Sequence, residues 1–115
     1  MTRDEAIAET HRLVEEGERL LRAPTLGGLR LWLQLTDDFL AATWGTMDRY
    51  HLAWLMVGKP EDAVRGRAMT ADEEARYVRD VAGQKTAALR MSLGALETQH
   101  MPFVGETQSP GALPP

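Results

Sequence analysis

The chain contains no cysteine, no asparagine and a single isoleucine, Ile7. Without cysteine there is no disulfide, no thiolate nucleophile and no cysteine-ligated zinc. Serine is nearly as scarce, with only Ser92, inside a helical pattern, and Ser109, in a proline-bearing tail. Neither has a histidine near it in sequence, so serine-based nucleophilic catalysis has little to work with. Basic charge is thin: 13 lysines and arginines face 17 acids, for a net charge of −4 and no basic block. The electrostatic footprint of a phosphate-gripping protein is missing, which argues against nucleic acid as a partner. No stretch free of Asp, Glu, Lys and Arg exceeds nine residues, far below the roughly 20 needed to cross a bilayer. The first 22 residues carry acids throughout and no apolar run, unlike a secretion signal or transit peptide. The expected location is the cytoplasm, or a virion assembled there. Eleven of the thirteen basic residues are arginine, the mark of a GC-rich coding sequence, for which a bacterial or phage setting is expected.

The chain itself is 115 residues, 43% hydrophobic and 26% charged, room for one domain of ordinary globular composition. Its start is legible: Thr2 and Glu5 form a capping box, after which Ile7, Val14 and Leu21 recur every seven residues beside Ala6, Leu13 and Leu20. Pro24 expels the residue before it from helical geometry, so the first helix is predicted over 3–22. Glu15–Arg19 and Glu18–Arg22 are its expected i,i+4 pairs, and "EEGE" at 15–18 reads as a solvated face.

Residues 27–38, "GGLRLWLQLTDD", place leucine at every second position from 29 to 35. Alternation is the pattern of a half-buried strand. No second alternating run exists to pair with it, however, and β-branched residues are missing between 28 and 35. Wound as a helix, Leu26, Leu29, Leu33, Phe39 and Leu40 share one face with Trp32 beside them. Leu31 and Leu35 then fall off that face, giving a helix apolar on two sides, which must be central in its own fold or covered by another chain.

Gly45 is a predicted helix stop, with Thr46 as cap and Asp48 as first-turn acid of a shorter helix in which Met47, Tyr50, His51, Trp54 and Leu55 share a face. Residues 61–69 are a connector. "TADE" at 70–73 is a second capping box and opens a helix predicted over 71–99. Val78, Val81, Ala88, Leu89, Ala95 and Leu96 form its buried side, Asp72–Arg76 its brace, and Ala82, Gly83, Ala87 and Gly94 its small residues for close approach. Four of the six prolines lie in 102–115, an extended tail expected to lash onto a neighbouring surface. The expectation is therefore all-α: a compact bundle of three long helices and one shorter one over 1–101, followed by the tail. No internal repeat is visible, and no motif is specific enough to name a family.

Three chemical readings compete. Asp48 and His51, spaced i,i+3, could ligate a metal with Asp37 and Asp38, as carboxylate–histidine pairs do in helical bundles. A nucleotide pyrophosphohydrolase holding magnesium between helices is the enzyme variant of this reading. A nucleic-acid-associated regulator would rest on Arg65 and Arg67, with Arg30 and Arg49. "TLGG" at 25–28 has no following lysine and reads as a turn, not a phosphate loop. The third reading comes from the aromatics, five of whose seven (Trp32, Phe39, Trp44, Tyr50, Trp54) lie within 32–54. Tryptophan and tyrosine are enriched where one protein buries itself in another. The favoured expectation is an interaction or assembly subunit without cofactor, meeting protein partners through Leu31, Trp32, Leu35, Trp44, Tyr50 and Trp54, with Phe103, Pro110 and Pro114 of the tail.

Overall fold

The leucine alternation winds as a helix. In the computed structural model, which describes residues 1–58 and 66–107, four helices follow one another: α1 (Arg3–Arg22), α2 (Leu26–Trp44), α3 (Arg49–Met56) and α4 (Ala71–Glu97). The described residues contain no strand. No described helix is long and apolar enough to cross a membrane. Arg65, Ser109, Pro110, Pro114 and most of the predicted connector lie outside the described residues.

Local chemistry sets the boundaries. Thr2 and Glu5 close the capping box of α1, and Thr70 and Glu73 that of α4. Thr25 Oγ1 accepts from the Gly28 N–H at the start of α2, which makes "TLGG" a cap. α3 departs from expectation. Its cap is Asp48, not Thr46, in extended conformation (φ −69°, ψ 167°) and without a side-chain capping bond. α4 ends at Glu97, where the Thr98 and Gln99 N–H groups both turn back to the Gly94 carbonyl.

α1 and α4 run antiparallel and share the most extensive contact in the molecule. His11 meets Glu97 at 3.0 Å, Glu18 meets Arg90, and Arg79 donates to the Leu21 carbonyl. Glu18 thus braces two helices instead of pairing with Arg22, and Arg19 pairs with Glu16 instead of Glu15. α2 crosses this pair antiparallel to α1: Leu20 lies against Gly28, Leu13 and Gly17 against Trp32. The glycine that sets the approach is Gly17, not one of the small residues of α4. A Cβ there would stand 2.1 Å from Thr86 Oγ1 and 2.8 Å from Trp32 Cζ2. The core gathers around this junction, with Leu13, Leu29, Leu40, Val78, Leu89 and Leu96 all but sealed from solvent.

Residues 101–107 fold back onto the helices. Phe103, 7% exposed, packs edge-on to Trp44 and under the Arg3 guanidinium. Arg3 also donates to the Leu96 and Met101 carbonyls and pairs with Glu106 at 3.2 Å. The Gly105 N–H donates to the Thr43 carbonyl and that of Thr107 to the Met1 carbonyl. This part of the expected tail is spent on its own chain, because a buried aromatic and satisfied backbone groups hold it there.

Two predictions follow from these packings. Gly17→Ala should lower stability by about 1–3 kcal/mol through overpacking, whereas Gly94→Ala, whose Cβ would meet nothing within 4 Å, should raise it by about 0.5–1 kcal/mol; urea denaturation of both variants separates the effects. At the start of α4, the Arg67 guanidinium and then the Thr70 N–H hold the Glu73 carboxyl down to about 2 from its ordinary 4.5. A lowered folded-state pKa stabilises above the ordinary value and is lost as pH falls through the lowered one. Amide protection in the opening turns of α4, taken relative to the intrinsic exchange rate at each pH, should therefore fall between pH 4.5 and about 2, a step that Glu73→Gln should abolish.

Candidate functional site

The aromatic residues fall inward. Trp32, Trp44, Tyr50 and Trp54 are all buried, and each is tied within the chain. Trp32 Nε1 donates to the Leu13 carbonyl at 2.8 Å, Trp44 Nε1 to Ser92 Oγ at 2.8 Å, and the Tyr50 hydroxyl to Met101 Sδ at 3.2 Å. Trp44 and Tyr50 stack at 4.4 Å between centroids. The Lys85 ammonium, itself buried, donates to the Trp54 carbonyl at 2.7 Å and lies 4.1 Å from the Trp54 ring centroid. That carbonyl belongs to the last turn of α3, where a cation is favoured by the helix dipole. The aromatic segment is thus core, a correction to its expected place at an interface: burying a tryptophan removes so much apolar area from water that a fold this small uses it internally first.

His51 is 4% exposed and both its ring nitrogens are occupied. The Met47 N–H donates to Nδ1 at 2.9 Å, and Asp37 Oδ1 lies 2.5 Å from Nε2. A backbone N–H can only donate, so Nδ1 carries its lone pair and the ring proton resides on Nε2, donated to Asp37. Asp37 orients the ring, but the nitrogen that would serve as a base is consumed by the backbone of Met47, which turns through φ +66° to reach it. The expected ligand set Asp37, Asp38, Asp48 and His51 does not converge: Asp48 is exposed at its cap and Asp38 accepts from Gln34. Among the described residues no three or more His, Asp or Glu gather in a way that could hold a metal ion. Ser92 is buried beneath Trp44, which removes it as a nucleophile. Of the arginines considered for nucleic acid, Arg67 is held bidentately by Glu73.

Large apolar side chains are exposed at Leu21, Met47, Met56, Met91 and Val104, and two more stand one turn apart on the outer side of α2. Leu31 is 62% and Leu35 41% exposed, as their position off the core face requires. They flank a groove of about 500 Å³ between α1 and α2, floored by Leu13, Leu20 and Trp32 and walled on the α1 side by Arg12, Glu16 and Arg19. A second hollow of about 530 Å³ continues from Arg12 past Glu9 and Glu5 to Phe39 and Met1. The result is an apolar ridge beside a trough with a charged rim. No family model, no curated protein and no solved structure matches the chain.

The role given to His51 has a direct test. His51→Phe, which leaves the Met47 N–H and the Asp37 carboxylate without their partner, should cost about 1–3 kcal/mol of unfolding free energy. His51→Asn, whose carbonyl can still accept from Met47, should recover part of that loss in the same denaturation experiment. A Phe variant as stable as the parent would remove the structural role.

Proposed function

We propose that this protein is a non-enzymatic assembly subunit of a homo-oligomer or larger bacterial or phage complex, acting in the cytoplasm or in a particle assembled there. In this reading the four helices form one bundle of three long elements and a shorter one, and the bundle presents the outer side of α2 to a protein partner. The observation that carries it is the exposure of Leu31 and Leu35 beside an apolar-floored groove, while the chain's polar chemistry is turned to structural duty. Clustered exposed leucines next to a concave apolar floor mark an interaction site more often than an ordinary surface. The contact surface is narrower than the sequence suggested. It centres on Leu31 and Leu35, with Pro110 and Pro114 as further contacts beyond the described residues.

The test is the mass of the native species. In extract from source cells the chain should elute well above its own 12.8 kDa. Leu31→Glu should return it to the single-chain mass with helical circular dichroism unchanged, because a surface substitution of this kind alters folding stability by only about 0.5 kcal/mol. A parent chain that elutes at its own mass, or an unaltered complex carrying glutamate at position 31, defeats the reading.

A further inference from the structure

We infer that the hollow opening at Met1 between α1 and α2 is a seat for this chain's own residues 108–115, "QSPGALPP". The inference goes beyond the assembly reading and does not depend on it.

The described chain already leads there. Val104 lies against Gly45 at the end of α2, Gly105 presses on the backbone of Ala42 and Thr43, and the Thr107 N–H donates to the Met1 carbonyl. Each step moves back along α2 and toward the start of α1. Met1 is itself a wall of the hollow, which runs past Ala8 to Arg12 on one side and is lined by Phe39 on the other. The segment after Thr107 therefore begins at the mouth of the hollow.

Length fits the seat. From the level of Met1 to that of Arg12 is about 16 Å along α1. An extended proline-bearing segment advances about 3.1 Å per residue. Counted from Thr107, Pro110 comes to the level of Ala8. Leu113, about 19 Å along, comes to the Arg12 end, where Phe39 gives way to Leu35.

Chemistry agrees with length. The segment carries no Asp, Glu, Lys or Arg, and the rim charges it would pass are already engaged. Glu9 holds Arg12, and Glu5 is spent on the capping box. Pro110, Pro114 and Pro115 bring no N–H, so the segment carries few backbone donors into a trough that offers few acceptors. Proline-bearing segments dock on grooves lined by aromatic rings, and Phe39 lines this one. Tethering at Thr107 raises the effective concentration of the segment, so a contact too weak to hold a separate chain suffices within one. In an open trough the outer side of the segment stays uncovered, which leaves Pro110 and Pro114 available to a partner of the α2 face.

Paramagnetic broadening in the full chain tests this. The sequence has no cysteine, so Pro115→Cys carries a single nitroxide. A seated segment holds the label away from its own anchor, and the amides of Arg12, Glu16 and Leu35 should broaden most. Leu113→Ser should cut that broadening about tenfold, as the loss of a buried leucine does to the seated population. The substitution lies outside the helices, and unchanged helical circular dichroism confirms that they are intact. Broadening centred on Met1 and Thr43, the pattern of a coil tethered at Thr107, overturns the inference, as does a pattern indifferent to Leu113→Ser. Broadening that passes to unlabelled chains mixed with labelled ones assigns the hollow to a neighbour's segment and overturns it too. None of these outcomes bears on the Leu31→Glu result in extract, so the seat and the assembly reading fail separately.

Discussion

Gly17 can carry no side chain, and the rest of the structure is arranged around that fact. A methyl group there would stand 2.1 Å from Thr86 and 2.8 Å from Trp32, so α1, α2 and α4 meet at a point where one helix contributes only backbone. The close approach brings the Trp32 indole within 2.8 Å of the Leu13 carbonyl, a bond made from the middle of one helix to the middle of another. Once that indole is anchored, the rotation of α2 is fixed. Leu29, Thr36 and Leu40 turn inward with it, and Leu31 and Leu35 have nowhere to go but out. The exposed ridge is a consequence of the buried junction.

The same economy governs the polar groups. Arg3 gathers the Leu96 and Met101 carbonyls and Glu106, His51 holds the Met47 N–H, and Lys85 caps the last turn of α3. Gly58, at φ +75°, leaves α3 against the Lys85 stem and donates its N–H to Gln84. Buried polar atoms cost free energy unless they are satisfied; for these groups the partners are mostly main-chain atoms where helices end and the chain turns, whereas among the described residues Thr36 Oγ1, Trp54 Nε1 and Thr86 Oγ1 are buried without a hydrogen bond. A histidine or lysine occupied in this way holds a turn in place.

Much of the fold was legible in the sequence because its signals are local. Thr2 with Glu5, Thr70 with Glu73, Pro24 and Gly45 mark helix ends by chemistry that acts within four residues. The periodic stripe of α4 identified its buried side, and that of α1 did so at Ala6, Leu13, Val14 and Leu20 but not at Leu21, which is exposed, or Ile7, which is only partly buried; the lack of β-branched residues favoured a helix for the leucine alternation. Gly17 was hidden inside "EEGE", a run that reads as a solvated face. The signal was present all the same, since helical spacing puts 17 on the stripe of Thr10, Leu13 and Leu20. Asp48 and His51 misled for a definite reason: the i,i+3 rule holds only when both residues lie within the helix, and Asp48 is the extended cap before it. The aromatics could not be assigned from sequence, because a tryptophan bound for the core and one bound for an interface have the same composition and spacing. Phe103 carried no periodicity at all; its place depends on Arg3, which is distant in the chain and adjacent in space.

The contrast among the long helices sharpens what the outer side of α2 requires. α1 and α4 have the features of helices facing water, with capping boxes, acids in the first turn and charged outer faces. α2 has no acid in its first turn and no base in its last, and two leucines stand where a solvated helix would carry charge. Polar residues at 31 and 35 would sacrifice none of the core, since neither leucine belongs to its packed cluster. Nothing inside the fold therefore calls for apolar side chains there. α2 is therefore apolar on two sides, of which the fold covers the one carrying Leu29, Trp32, Thr36 and Leu40 and leaves Leu31 and Leu35 in contact with solvent.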